Sequence, residues 1–267
     1  MLKLVVTDLD GTFLNNKGSF DRELFSETHK MMKENGVIFA ACTGKQCERV
    51  EELFEGHSDI WVLGDSATRI KRDGELIRDF PLDKKLGIDL IHHIQSYEQE
   101  LVVIACTKEA AYVRSDIPEA EYKIVRGSYK ELRKMNDLTA IPSELVKITV
   151  YDKLHRSVKL KQHLLDQTYS EPVYMVASEP AWLDITAADV HKGKTVQILQ
   201  ELVGATKAET MSFGDGENDV ELMHIAEYSF AVANACENTK AAASFITKAN
   251  EENGVLLTIQ KMIHLMN

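Results

Sequence analysis

Two strings in the sequence gather carboxylates in a way that suits chemistry at phosphorus. Asp8-Leu9-Asp10-Gly11-Thr12 follows directly on the apolar run Leu4-Val5-Val6. In a parallel sheet, ligands bind just beyond the carboxyl ends of strands, so two carboxylates two residues apart are presented near one point. The glycine after them lets the chain turn away. One carboxylate can attack phosphorus there while the other handles the leaving-group proton. Gly214-Asp215-Gly216-Glu217-Asn218-Asp219 holds the same position after a second apolar run at 210–213. Carboxylates set among glycines at a strand end suit a hard cation that prefers oxygen ligands. Capping of the next helix accounts for Asn218 or Asp219. It does not account for Asp215, which comes earlier, at the strand terminus.

Two shorter pairs supply what a phosphoryl group needs. Thr43-Gly44 ends another apolar run, where a hydroxyl and backbone amides can hold phosphoryl oxygens. Lys192-Gly193 precedes a helical stretch, and a lysine there can neutralise charge in a transition state. Taken singly, a Thr-Gly pair is ordinarily a turn and a Lys-Gly pair ordinarily surface.

The elements that must position these groups follow a consistent style at the two ends of the chain. Residues 21–35 carry apolar side chains at helical spacing (Leu24, Phe25, Met31, Met32) and end at Asn35-Gly36, a helix stop. Near-continuous apolar runs at 37–42 and 60–63 flank a helical stretch at 45–55. The closing part alternates in the same way: helix 193–203, strand 210–213, helix 217–226, strand 229–233, strand 245–247. Strands apolar on both faces and separated by helices predict a parallel sheet covered on both sides. The middle differs. Helices at 86–98 and 155–167 mix there with alternating strands at 101–105, 110–114, 145–151 and 172–177, which predicts an α+β layer with one open sheet face. The fold class expected is α/β, a doubly wound, Rossmann-like core of residues 1–82 and 185–267 interrupted by an α+β cap domain at 83–184.

Composition narrows the function classes. The 267 residues include 31 Lys and Arg against 42 Asp and Glu, a net charge of −11, and no clustered basic surface for nucleic acid is evident. No apolar run reaches the length of a membrane span, and the N-terminus lacks a signal pattern, so a cytoplasmic location is expected. The four cysteines (Cys42, Cys47, Cys106, Cys236) match no zinc spacing and read as reduced, mostly buried thiols. Cys42 and Cys47 lie beside the Thr43-Gly44 pair, which makes them candidates for reactivity by proximity alone. The nine histidines, His191 beside Lys192 among them, show no paired spacing and are not read as ligands.

Together, in this order and spacing, the four motifs resemble those of the haloacid dehalogenase superfamily of phosphotransferases. The likeness is to its Cof-like branch of sugar-phosphate phosphatases, which carries a C2B cap. Ala233-Asn234-Ala235 is similar to a further stretch typical of that branch, and residues 83–184 fall where the cap would be. The resemblance implies Asp8 as nucleophile, forming an aspartyl-phosphate, and Asp10 as the acid that protonates the leaving alkoxide and then activates water. It implies Mg²⁺ held by Asp8, Asp215 and the backbone carbonyl of Asp10. Asp219 would orient the metal shell, and Thr43, Gly44, Lys192 and Asn218 would hold the phosphoryl group. The implied partner is a small phosphorylated metabolite, a sugar phosphate or similar phosphomonoester, acted on by a monomer or small homo-oligomer. Four such carboxylates repel one another and a phosphate dianion, and a divalent cation with Lys192 reverses that balance.

Three departures from the family pattern stand out: Lys45 where arginine is common, Asp65 where the third strand usually ends in Asn-Gly, and Phe13 in place of leucine. Asp65 is expected to put an extra carboxylate near the edge of the site. Specificity is expected in the cap, with Trp182 and Glu179 as candidates, although an aromatic there is more often core. The alternatives are a phosphomutase using the same intermediate and a non-catalytic sugar-phosphate sensor. A sensor would be expected to have lost Asp8 or Asp10, and both are present. A membrane pump of phospho-aspartate type would need spans the chain lacks.

Overall fold

The structure is a computed structural model that describes residues 1–97 and 100–266. The chain opens with β1 (Leu4–Thr7), α1 (Arg22–Glu34), β2 (Ile38–Cys42), α2 (Cys47–Leu53) and β3 (Trp61–Gly64), followed by the hairpin β4 (Arg69–Arg72) and β5 (Glu75–Asp79). It then leaves for a second layer: α3 (Lys84–Tyr97), β6 (Val102–Thr107), β7 (Ala111–Arg114), α4 (Glu119–Ser128), β8 (Leu132–Met135), β9 (Leu145–Tyr151), α5 (Ser157–Leu165), β10 (Val173–Glu179) and β11 (Trp182–Ala187). The return comprises α6 (Lys192–Val203), β12 (Thr210–Gly214), α7 (Val220–His224), β13 (Tyr228–Val232), α8 (Glu237–Ala242), β14 (Phe245–Thr247) and α9 (Gly254–Met266). Residue 98, where the first middle helix was expected to end, lies outside the described residues.

Among the described residues, the first sheet has eight strands in the order β14-β13-β12-β1-β2-β3-β4-β5. Its strands are parallel from β14 to β3, and the β4–β5 hairpin pairs antiparallel on the edge. β1 shows why a continuous apolar run suits this place. Val5 packs on one face with Phe25, Met32 and Ile259, from α1 and α9. Leu4 and Val6 pack on the other with Val196, Leu199 and Leu222, from α6 and α7. Period-two geometry sends alternate side chains to opposite faces, and here both faces are covered.

The Phe13 departure has a packing reason. Its ring lies 5.1 Å from Phe20, 5.7 Å from Phe25, 5.8 Å from Phe39 and 5.6 Å from Phe54. Each buried aromatic of this kind stabilises the fold by about 1.5–3 kcal/mol, so the cluster anchors the turn that follows Asp8.

The second sheet runs β10-β11-β9-β6-β7-β8, antiparallel except for the β7–β8 pair. Ile148 and Val150 of β9 pack with Leu86, Leu90 and Ile94 of α3 and Leu160 and Leu164 of α5. The opposite face was expected to be open. Instead Val125 of α4 and Tyr129 at its end pack on Ile104, Cys106 and Val113 of that face, and Lys147, Thr149 and Asp184 on it line a cavity shared with the first domain. β11 pairs with β10 as far as Ala187, three residues past the expected return at 184.

The cysteines are settled by burial. Cys42, Cys47 and Cys106 are buried, and burial pushes each thiol above its ordinary pKa, Cys106 to about 12. Reactivity of Cys42 and Cys47 is therefore not supported, because the nucleophilic thiolate is suppressed. Cys236 is partly exposed. One of the four thiols is expected to react with DTNB within minutes in the native protein and all four in guanidinium; rapid reaction of three or more in buffer would contradict this packing.

Candidate active site

Adjacent parallel strands bring the motifs to one edge. β1 pairs with β12 on one side and β2 on the other, so the residues after Thr7, Cys42 and Phe213 emerge side by side. The Asp8 amide donates to the Phe213 carbonyl at 3.0 Å, which carries the pairing one residue into the motif.

Beyond Asp8 the chain folds into a tight turn over Leu9–Phe13, closed by the Leu14 amide on the Leu9 carbonyl at 2.8 Å. Gly11 adopts φ +75°, and a Cβ there would collide with the Asp215 carboxylate. Both facts demand glycine. The Thr12 hydroxyl donates to Asp215 Oδ1 at 2.5 Å, and Asn234 Nδ2 donates to the Gly11 carbonyl at 2.7 Å. The turn is thus tied to the metal-motif strand and to the loop after β13. Thr12 sat inside the first motif without an assigned role; its contact with Asp215 spans 203 positions and has no local sequence signal.

Lys192 opens α6 and reaches into this group fully buried. Its ammonium donates to Asp8 Oδ1 at 2.6 Å and to Asp219 Oδ1 at 2.7 Å. Asp219 Oδ2 accepts from the Asp215 and Gly216 amides at 3.0 and 3.1 Å, so its carboxylate is held on both oxygens. Gly214 allows this, since a Cβ there would meet the Asp219 side chain. Oxygens of Asp8, Asp215 and Asp219 lie within 4.8 Å of one another.

The electrostatics follow. Burial pushes the Asp8 carboxyl well above the usual range; Lys192 pulls it down, while Asp219 and Asp215 push it further up. Asp215 is raised to about 6 by burial and by the charge of Asp219, against the hydrogen bond from Thr12. Burial opposes the Lys192 charge, but Asp219 and Asp8 overcome that and raise the ammonium above its ordinary value. Three carboxylates against one lysine leave two negative charges uncompensated, on oxygen ligands that fit a divalent cation.

Asp10 stands apart. Its side chain is 44% exposed at the cavity and pairs with Lys45 Nζ at 2.9 Å. Lys45, noted only as a departure, therefore holds the second carboxylate of the first motif. Thr43 is buried; its amide donates to Leu63 O at 2.9 Å and its hydroxyl accepts from the Lys45 amide at 3.2 Å. Gly44 and Asn218 lie on the cavity wall. Asp65 does not supply a carboxylate to the edge of the site. It is buried against Arg69 at 3.0 Å and accepts from the Cys47 amide at 3.3 Å. Its backbone serves the site instead. Asp65, Ser66 and Ala67 form a left-handed turn (φ 54°, 59°, 63°), and the Asp65 and Ser66 amides donate to Lys45 O and Thr43 O. Left-handed backbone costs non-glycine residues roughly 1–2 kcal/mol each, so this turn persists because its neighbours hold it.

The cavity measures about 340 Å³ and is roofed by the cap. Trp182 lines it while also packing on Tyr151 at 4.9 Å, so it is both wall and core. Glu179 stands at its rim, its carboxyl raised by partial burial and by the charge of Asp10. Lys147, Thr149, Asp184 and Tyr129 were not singled out from the sequence. They sit in ordinary strand and helix-end contexts, and cross-domain proximity alone identifies them.

Comparison with known proteins agrees with this architecture. The chain is 27% identical over 265 residues to the 5-amino-6-(5-phospho-D-ribitylamino)uracil phosphatase of Escherichia coli, covering 98% of this chain and 96% of that one. The crystal structure of SMU.1108c from Streptococcus mutans superposes with a TM-score of 0.93 at 28% identity, covering 99% and 100% of the two chains. The HAD subclass IIB sugar phosphatase BT4131 shares the fold, with a TM-score of 0.81 at 18% identity over 97% and 98%. A family model for haloacid dehalogenase-like hydrolases matches residues 5–259, nearly the whole chain, and the protein belongs to that family.

Proposed function

We propose that this hydrolase releases inorganic phosphate from a small phosphomonoester, a sugar phosphate or a similar metabolite, by way of an aspartyl-phosphate on Asp8. The observation that carries the reading is the Asp8 carboxylate at the cavity floor. One oxygen is held by Lys192, and Asp215 and Asp219 stand beside it. In this reading the other oxygen of Asp8 attacks phosphorus as the P–O bond to the leaving group breaks. Asp10, at the cavity mouth, gives its proton to the departing alkoxide. It then takes a proton from the water that attacks the aspartyl-phosphate, which regenerates Asp8 and frees phosphate. Thr43, Gly44, Lys192 and Asn218 are the groups we assign to the phosphoryl oxygens.

Mg²⁺ is the cation we assign to Asp8, Asp215 and the Asp10 carbonyl, with Asp219 fixing Asp215 and Gly216 from behind. When bound, a divalent cation supplies positive charge between the carboxylates and the phosphoryl oxygens. Hydrolysis is favoured over mutase chemistry by the cavity's charges. Its two lining lysines each face a carboxylate already, Lys45 facing Asp10 and Lys147 facing Asp184, and Lys192 behind Asp8 is, among the described residues, the one ammonium left for a phosphoryl group. A bisphosphate would need further cations, and the lining offers none among the described residues. Hydroxyl and carboxylate groups of Thr149, Ser178 and Asp184 suit a single phosphomonoester whose leaving group is uncharged and bears hydroxyls. A ribityl phosphate substrate, as the name of the Escherichia coli relative states for that protein, is one such compound.

Phosphate release from a panel of phosphorylated metabolites is expected with Mg²⁺, to vanish with chelator, and to fall by about three orders of magnitude or more in Asp8→Asn. Undiminished turnover in that variant would refute the covalent route, and turnover only with a bisphosphate activator would favour the mutase. A second expectation concerns pH. The Asp215 carboxyl is raised to about 6 from an ordinary 3.8, so its stability contribution is present at low pH and lost as pH rises through 6. A cation relieves the repulsion only where the carboxylate is ionised. The gain in melting temperature on adding Mg²⁺ should therefore be larger at pH 7.5 than at pH 5, and an equal gain at both would sink this charge balance.

A further inference from the structure

Lys147 lies mid-strand in β9, 1% exposed, on the cap face turned toward the core. Burying an ammonium is costly unless it is well paired. Its nearest carboxylate, Asp184, is 3.6 Å away and already accepts the Thr149 hydroxyl at 2.6 Å and the Ser178 hydroxyl at 3.3 Å. The two shorter contacts of Lys147 cross to the other domain: it donates to the Gly44 carbonyl at 2.8 Å and to Ser66 Oγ at 3.0 Å. The Gly44 carbonyl belongs to the same planar peptide as the Lys45 N–H. That N–H donates to Thr43 Oγ1 at 3.2 Å. A hydroxyl oxygen engaged as acceptor keeps its own proton to donate. A hydrogen bond on one end of a peptide also strengthens the donor at the other.

We propose that Lys147 is a positioning residue for phosphoryl binding: acting through the Gly44–Lys45 peptide, it turns the Thr43 hydroxyl into a fixed donor aimed at the cavity, and does so only while the cap rests on the core. The inference depends on the reading of Thr43 as a phosphoryl contact. Lys147 itself touches neither the reacting atoms nor the carboxylate cluster. Tyr129, whose ring lies 5.4 Å from the ammonium and whose hydroxyl donates to Thr149 at 3.1 Å, closes the network on the cap side.

A double-mutant cycle between Lys147→Met and Thr43→Val tests it, with kcat/KM for p-nitrophenyl phosphate in Mg²⁺ and competitive inhibition by inorganic phosphate as readouts. Each single change should lower kcat/KM and weaken phosphate inhibition by about tenfold, and the double variant should lose little beyond Thr43→Val. An ammonium that acts only by its charge, or only by supporting the fold, would cost as much in the Thr43→Val background as in the wild type. Multiplying losses would therefore overturn the proposal. Lys147→Met/Asp184→Asn removes the carboxylate left unpaired, and serves in the same cycle if the single variant does not fold. A wild type that turns over no phosphomonoester would instead refute the phosphatase reading and this inference with it, an outcome distinct from an active wild type with multiplying losses.

Discussion

The buried ammonium of Lys192 is the interaction on which the rest of the site depends. Ionised carboxylates whose oxygens approach within 4.8 Å, as those of Asp8, Asp215 and Asp219 do, repel by on the order of 3 kcal/mol per pair at an effective dielectric near 20. Lys192 bonds two of the three directly, and the backbone amides of Asp215 and Gly216 hold the far side of Asp219. Asp215 is left with a hydroxyl from Thr12, and burial, joined by the charge of Asp219, raises its pKa. The cluster is stable enough to fold and poorly enough compensated to want a cation.

That arrangement constrains the backbone around it. Lys192 reaches Asp8 only because α6 packs close to α7, and Gly193 makes the approach possible: a Cβ there would meet Glu221. Gly11 and Gly214 likewise stand where a Cβ would strike Asp215 or Asp219. Gly11 and Gly214 are therefore consequences of carboxylate crowding, and Gly193 of the close approach of two helices. Placing β1 between β12 and β2 completes the design, since three motif-bearing strand ends become neighbours without any long loop.

Much of this was readable from residues because both-face burial leaves a strong local signal. Leu4-Val5-Val6 and 210–213 are apolar for the sheet, and the acidic strings after them are polar for the site. What escaped reading has a common physical cause, pairing between segments distant in sequence. β4 reads Arg69-Ile70-Lys71-Arg72, too charged to look like a strand, yet Glu48 and Glu51 of α2 neutralise Arg69 and Lys71 from 20 to 23 positions away. Asp65 differs in part: its ion-pair partner Arg69 is only four residues on, and the Cys47 amide whose hydrogen bond it accepts is the distant contact that draws it away from the site. Lys147 sits in a strand pattern, and nothing local marks a lysine whose acceptors are Gly44 and Ser66. The hydroxyl of Thr12 and the ammonium of Lys45 belong to the same class.

The segment from Thr43 to Gln46 shows what such pairing achieves. From below, the left-handed turn at Asp65 and Ser66 donates to its carbonyls. From above, Gln46, almost fully buried, makes three bonds with cap backbone: its amide to Ser128 O, its side-chain nitrogen to Glu131 O and its side-chain oxygen from the Glu131 amide. Tyr174 of β10 adds a further bond between cap and core, to Glu221 of α7. A cap held by bonds to the loop that lines the cavity cannot lift without releasing that loop's partners. Each bond is worth only about 1 kcal/mol net, yet each buried group left unmatched costs about 1–3 kcal/mol. The ordering of Thr43 to Gln46 therefore rests on the cap as much as on the turn at Asp65 and Ser66.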